Sequence, residues 1–428
     1  MRRVTLTIGL LVLASVAAVG FGQPPPPVTP AGGVAPVPAP PTAPADIPLS
    51  KFEPLAAFPP ATQHAVRSVL LGSGWLTRMS QAQGRFLYGY RPALRQPMDG
   101  DHDVKQAVAA LAVARAAKFA GDDRQAAVAS QAVLALLAVT KIDPADPTCR
   151  VPVASSAACN RVGFAALLAL AVYDLPAADD KLVAEAERLC GFLRKQLRPD
   201  GSVHYADDPA ADPTKLDPAG VNEYPGYALQ ALAASHRARP AEWKAAALAA
   251  ALEHYRGWFK ANPHPLLAAT LTPAFADFAL QSRSADAPAA VFEMNDWLAA
   301  LQYGATGAKH PLWAGGFKGW AGGRAVEAEP GFECGAYLQS LSCAYLLSRQ
   351  GTDLARAGRY KQAAADAAQF LTGMQYVEAN TRHFENSFRA NVLVGGFYLS
   401  PSDGNLRADA TGGAVCGLLR FLASGAEK

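Results

Sequence analysis

The sequence predicts an all-α fold of about twelve helices, paired into six hairpins and closed into a double ring. Three observations carry this reading. Beyond residue 60, apolar positions recur three and four apart, as in DVKQAVAALAVARAAKFAG (103–121) and KLVAEAERLCGFLRKQL (181–197). The connections alternate short and long, the pattern of helical hairpins laid side by side. The helices also alternate in character: one is apolar nearly all round, as buried helices are, and the next carries charge on one face.

In chain order, the first residues set a compartment. Met1, Arg2 and Arg3 form a basic start, VTLTIGLLVLASVAAVG follows, and Gly20-Phe21-Gly22 offers a small-x-small cleavage pattern. Residues 1–22 are therefore expected to be an export signal, with an uncleaved anchor as the alternative. From 23 to 48 the chain is QPPPPVTPAGGVAPVPAPPTAPADIP, which holds eleven of the 33 prolines and no aromatic residue. Such a stretch cannot bury a core and is expected to be an extended, disordered linker. Residues 49–428 remain for one helical domain. The expected location is secreted, periplasmic or cell-envelope, with no membrane contact beyond the N-terminal signal or anchor.

Helices are expected to start near 61, 103, 123, 161, 180, 224, 241, 268, 287, 332, 353 and 408. Tight turns follow Phe119, Tyr173, His236, Gln281 and Arg349, and connections of roughly 20–30 residues lie between them. The connection after Lys260 is short where a long one is due. Helices starting near 103, 161, 224, 268, 332 and 408 form the inner set, because FAALLALAVY, YALQALAAS and GAVCGLLRFLA lack a polar face. SVHY and GGFYLS are the only strand candidates. In such a ring the long connections gather at one face, where every inner helix begins. That explains NEYPGYALQAL (222–232): Glu223 meets the positive end of a helix dipole, Pro225 suits a first turn, and Tyr224 and Tyr227 can line a cavity.

Composition excludes several functions. Charged residues are 18% of the chain, and the net charge is only +3. No Lys/Arg cluster is interleaved with aromatics, so nucleic acid is not an expected partner. There is no G-x-S-x-G elbow, phosphate loop or strand-linked GxGxxG. Of the six cysteines, Cys149 and Cys159 bracket a polar loop and are the expected disulfide; the other four read as buried small apolar groups. No cysteine stands at metal-ligand spacing with a histidine, so neither metal nor cofactor is expected. DGDHD (99–103) lacks the glycine and glutamate positions of a calcium-binding EF-hand loop.

DHDVKQAVAALAVA, LRPDGSVHY, NEYPGYALQAL, FEMNDWLAALQ, WAGGF and LRADATGGAVCGLL together resemble the (α/α)6 toroid proteins over about residues 61–424. That group includes six-hairpin glycosidases, polysaccharide lyases, sugar epimerases and terpenoid cyclases. Gln302…Gly315-Gly316-Phe317 and Gln375…Gly395-Gly396-Phe397 are similar to the loops that precede inner helices in such toroids. DGDHD lacks the DxDD spacing of squalene-type cyclases, and Tyr227 stands where related toroids often carry a glutamate. The resemblance implies a carbohydrate or other small ligand in a central funnel.

Candidate residues then lie at the heads of the inner helices. Glu223 and Glu333 are the leading carboxylate pair for acid and base or nucleophile roles on a glycosidic bond, with Asp409 and His102 as further catalytic candidates. Asp103, Arg161, Arg407, Tyr224, Tyr227, Trp313 and Trp320 are candidates for holding the ligand, the two tryptophans framing WAGGFKGW. Each carboxylate also has a plain role as a helix cap, and loop aromatics also seal helix ends. The alternatives are a non-catalytic toroid that binds a ligand or protein partner, and a terpenoid-cyclase-like protein with a deep apolar cavity.

Overall fold

The computed structural model describes residues 55–154, 160–206, 218–282, 284–304, 310–351 and 353–426. The expected signal and linker, and Cys159, lie outside the described residues. Twelve long helices occur where the apolar period places them: α1 Pro60–Met79, α2 Asp103–Ala120, α3 Asp123–Ala138, α4 Arg161–Tyr173, α5 Asp180–Lys195, α7 Tyr224–Ala238, α8 Glu242–Ala261, α9 Pro265–Ser282, α10 Asp286–Ala299, α11 Cys334–Ser348, α12 Leu354–Gly373 and α14 Ala408–Ser424. Two single turns, α6 Pro218–Val221 and α13 Asn386–Phe388, lie in the connections.

Local chemistry sets the ends. Asp122, Asp179 and Asp353 accept hydrogen bonds from backbone N–H groups in the first turns of α3, α5 and α12. Asn160 does the same for Gly163 N in α4. The single Asp or Asn before an apolar run thus fixes where each of these four helices begins.

The inner ring is closed: α2 packs on α4, α4 on α7, α7 on α9, α9 on α11, α11 on α14, and α14 on α2. Their apolar faces account for most of the core; every residue of α4 from Val162 to Val172 is buried. Small residues bring the inner helices together. A Cβ on Gly417 would stand 2.4 Å from the Gly335 carbonyl oxygen, so α11 and α14 approach at van der Waals distance only with glycine there. Outer helices pair with inner ones as α2/α3, α4/α5, α7/α8, α9/α10 and α11/α12, and α1 completes the sixth pair with α14. A buried polar link ties three helices: Asn295 Nδ2 donates to Thr272 Oγ1 at 2.9 Å, and Ser340 Oγ to Asn295 Oδ1 at 2.7 Å.

The connections between hairpins carry all the described strands. β1 (Gly89–Arg91) pairs antiparallel with β2 (Gln96–Met98) and with β7 (Leu406–Arg407), joining the first long connection to the last. Hairpins β3 (Thr140–Asp143) with β4 (Asp146–Pro152), and β5 (Gly319–Ala321) with β6 (Arg324–Val326), decorate two others. The two Gln…Gly-Gly-Phe stretches fold alike. Gln302 bridges Phe317 and Gln375 bridges Phe397. Gln302 Nε2 donates to Gly315 O and to Ala363 O of α12, both at 2.9 Å. Gln375 Nε2 donates to Gly395 O and to Ser68 O of α1, both at 3.0 Å. Gly315 (φ +83°) and Gly395 (φ +101°) take left-handed turns that lay the loop on those helices. A side chain there would strike Asp366 O or Leu71 O at 2.1–2.2 Å. The loops are thereby clamped to the next outer helix, which fixes the face where inner helices begin. No helix among the described residues is long and apolar enough to cross a membrane.

Candidate functional site

The head of α2 is built around Arg85, which reaches back from the first connection. Its Nη2 stands 2.6 Å from both Asp101 Oδ1 and Asp103 Oδ1. Asp103 opens α2 and is buried, so the guanidinium and the positive end of the helix dipole both face it. These two carboxylates of DGDHD are thus engaged by an arginine. Among the described residues no group of His, Cys, Asp and Glu is arranged to hold a metal. Lys105 Nζ donates to the Tyr88 hydroxyl at 2.6 Å. His102 precedes the helix with its Nδ1 buried and without a hydrogen-bond partner. Burial, then the Lys105 charge, lowers its pKa against the opposing fields of Asp409 and Asp103, so its imidazole is held neutral.

Glu223 and Glu333 occupy the N-cap positions of α7 and α11. The Glu223 pKa is raised, first by burial and further by Asp409 and Glu333; the Tyr227 hydroxyl, 3.4 Å from Oε1, and Lys105 oppose the rise. Glu333 is raised by burial and by Asp409, with Arg407 opposing. Both are thus biased toward the protonated acid. Asp409, in the first turn of α14, accepts from both Arg407 Nε (2.9 Å) and Nη2, a two-pronged ion pair. Arg407 in turn lies 4.7 Å from the Phe332 ring centroid. Glu223, Glu333, Asp409, Lys105 and Arg407 share one electrostatic field, although they come from four inner-helix heads.

Tyr224 packs against the head of α4: a Cβ at Gly163 would be 2.5 Å from its Cδ1. Arg161 is the first residue of that helix. The two tryptophans lie elsewhere in their connection. Trp320, on β5, meets Trp297 of the outer helix α10 edge-on at 4.9 Å, and Trp297 meets Phe259 of α8 in the same way. Trp313 packs on His310 (4.1 Å) and Tyr303 (5.5 Å) within its own loop. Of the two, only Trp320 has a ring partner on an outer helix.

The expected Cys149–Cys159 disulfide finds no support. Cys149 is a buried free thiol on β4 whose Sγ donates to Asp146 Oδ2 at 3.1 Å, beside Lys195, and Cys159 falls outside the described residues. Sequence reasoning also passed over Arg85, Phe332 and Tyr337. Tyr337 lies one turn into α11, and its hydroxyl is held protonated by burial and by Glu333. A glycine-flanked arginine in GRF and the phenylalanine in PGFE were the available signals, but their partners are brought in only by ring closure.

No family model matches the chain, and no curated protein matches it. Solved structures do. An unsaturated glucuronyl hydrolase from Bacillus sp. GL1 superposes with a TM-score of 0.60 at 13% identity, over 84% of this chain and 96% of that one. Cellobiose 2-epimerase from Spirochaeta thermophila DSM 6192 gives 0.60 at 13%, over 85% and 96%. The GH76A α-1,6-mannanase of Salegentibacter sp. HEL1_6 gives 0.57 at 9%, over 84% and 99%. The closed inner ring, the paired outer helices and these likenesses agree: the chain has the (α/α)6 toroid fold.

Proposed function

We propose that this protein binds a glycan at the loop-bearing mouth of the ring and hydrolyses a glycosidic bond there. The observation that carries the reading is the pairing of unlike carboxyl groups. Glu223 is pushed toward its protonated form by burial and makes no ion pair among the described residues, while Asp409 is gripped by two nitrogens of the Arg407 guanidinium. Environments that push two carboxyl groups apart are the usual way to obtain an acid and a base at one pH. In this reading Glu223 protonates the leaving oxygen, with the Tyr227 hydroxyl orienting its carboxyl. Asp409 stabilises positive charge at the anomeric carbon or orients a water, and Glu333 lies beside both. Tyr224 forms part of the wall, and Arg161, Lys105 and Arg407 supply donors for sugar hydroxyls. The structural neighbours are named for acting on glucuronyl, cellobiose and mannan substrates, which supports a saccharide as the ligand class. The basic and apolar start of the sequence supports export to where glycans are met.

The test uses the chain from about residue 46 onward with a panel of neutral and acidic oligosaccharides, reading new reducing ends. Glu223→Gln is expected to lower kcat by about 10²–10⁴-fold, the usual contribution of a positioned general acid. Loss of turnover with ligand binding retained supports the assignment. Wild-type protein that binds saccharides but never releases a reducing end refutes hydrolysis and leaves a binding toroid.

A further inference from the structure

The opposite end of the ring holds a second cavity, of about 320 Å³, lined by side chains from all six inner helices. Its wall is cationic. Arg115 and Lys118 come from α2, Arg237 from α7 and Arg420 from α14, against two acids, Asp174 after α4 and Asp277 on α9. The formal balance is four positive charges to two negative, an excess of two. Leu170, Ala234 and Leu419 fill the apolar remainder.

The plain account of such cations is that they offset the negative ends of the six helices that finish here. Their hydrogen bonds, however, go to side chains. Arg115 Nε donates to Asp174 (2.7 Å), Arg237 Nη1 to Asp277 (2.7 Å) and Arg420 Nε to the Cys343 sulfur (3.0 Å). None of the three donates to a backbone carbonyl among the described residues. The helix ends are served by other groups: Gly121 N bonds Ala117 O, Lys244 Nζ bonds Ser235 O and Arg239 O, and Arg349 Nη1 bonds Ser424 O. A guanidinium has five N–H donors. Arg115, Arg237 and Arg420 each retain donors beyond the bonds just named. Lys118 is exposed and forms no ion pair among the described residues, and the Gln339 amide on the same wall forms no hydrogen bond there.

From this surplus of charge and of donors around one cavity, we infer that the distal cavity is a binding site for a small multivalent oxyanion, phosphate or a short polycarboxylate. An anion carrying two charges would bring the wall to formal neutrality and take the unused guanidinium and ammonium N–H groups. Two of the cations, Arg237 and Lys118, stand at the open rim; the Arg237 side chain is 54% exposed. Arg115 and Arg420 lie deeper, each held near an acid. The site is separate from the mouth, since its residues lie on the middle and last turns of the inner helices.

Isothermal titration of the full-length protein with inorganic phosphate, and separately with citrate, tests this at 15 °C and matched ionic strength. Working well below the unfolding temperature keeps every variant folded, which circular dichroism checks. One equivalent of either anion is expected to bind. The double variant Lys118→Gln/Arg237→Gln should weaken binding at least tenfold, whereas Lys105→Gln at the mouth should leave it unchanged. Three results would overturn the inference. They are heats no different from added chloride, an unchanged affinity in the folded double variant, and a loss confined to Lys105→Gln, which would put the anion at the mouth.

Discussion

Removing the amide of Gln375 should loosen the last connection, the one that delivers Arg407 and Asp409 to the mouth. Gln375 is 1% exposed, and its Nε2 makes two bonds, to Gly395 O in its own loop and to Ser68 O on α1. Each such bond contributes about 1 kcal/mol net, and truncation to alanine leaves a small void costing about 1 kcal/mol more. Against this, Oε1 of Gln375 is buried without a partner, and its removal returns about 1 kcal/mol. The expected net loss for Gln375→Ala is therefore about 2 kcal/mol. Gln302→Ala breaks the matching pair of bonds, but that residue is half-buried and water can replace them, so about 1 kcal/mol is expected. Native-state hydrogen exchange reads the effect locally. The Tyr376 amide, bonded to Gly396 O, and the Tyr398 amide, bonded to Met374 O, should open about thirtyfold more often in Gln375→Ala. Protection of these two amides within about twofold of wild type, or a larger loss at 302 than at 375, would show that the clamp is not what holds the loop.

Three further outcomes follow from the same geometry. Lys244 is 3% exposed and holds Glu187 Oε2 at 2.8 Å, so Lys244→Met should cost about 3–5 kcal/mol in urea unfolding, with Lys244→Met/Glu187→Leu recovering most of it. Glu223 and Glu333 have raised pKa values, so each contributes stability that is complete below the ordinary carboxyl range and is lost as pH rises through the raised value. Glu223→Gln and Glu333→Gln should accordingly raise Tm relative to wild type near about pH 8 and lose that advantage near about pH 4; a gain that grows toward acid would contradict the burial assignment. Gly358, exposed on α12 with nothing within 4 Å of a built Cβ, should tolerate alanine with a gain of up to about 1 kcal/mol, whereas Gly315→Ala should destabilise, both read by thermal unfolding.

The helices were legible because their signals are local. An Asp or Asn before an apolar run, as at Asp122, Asn160, Asp179 and Asp353, fixes a start within its own turn. The α9 start was expected near 268 and falls at Pro265, since Pro263 and Pro265 close the short connection before it. The strands were mostly not legible. β1, β2 and β7 are two or three residues each, and Gly89 pairs with Arg407 across nearly the whole domain, so no period of two develops. β3–β4 was hidden by Pro144, Pro147 and Pro152, which read as loop. At the site, the acids could be seen because each stands at a helix head. What surrounds them could not: Arg85 beside Asp103, Tyr227 beside Glu223 and the shared field of four heads depend on which helices become neighbours. WAGGFKGW read equally as a ligand platform or as a seal on helix ends, and the contact of its second tryptophan with Trp297 of the outer layer could not be seen in the sequence.

The pairing of α1 with α14 has a consequence for how the domain is made. Each of the other five hairpins is contiguous in the chain and can form as it is synthesised, but the sixth joins the first long helix to the last. Until α14 is complete, α1 lacks its main partner, and the flanks of α2 and α11 that will receive α14 stay open to solvent. Those flanks include Val108 and Gly335, which α14 covers with Gly412 and Gly417. Ring closure is thus a late, long-range event, slow for the reason that distant contacts are slow, and the open arc before it is the species most prone to stick to another copy of itself. A chain that stalls or is truncated anywhere before residue 408 would present the same unfinished edge, however many hairpins it had already built.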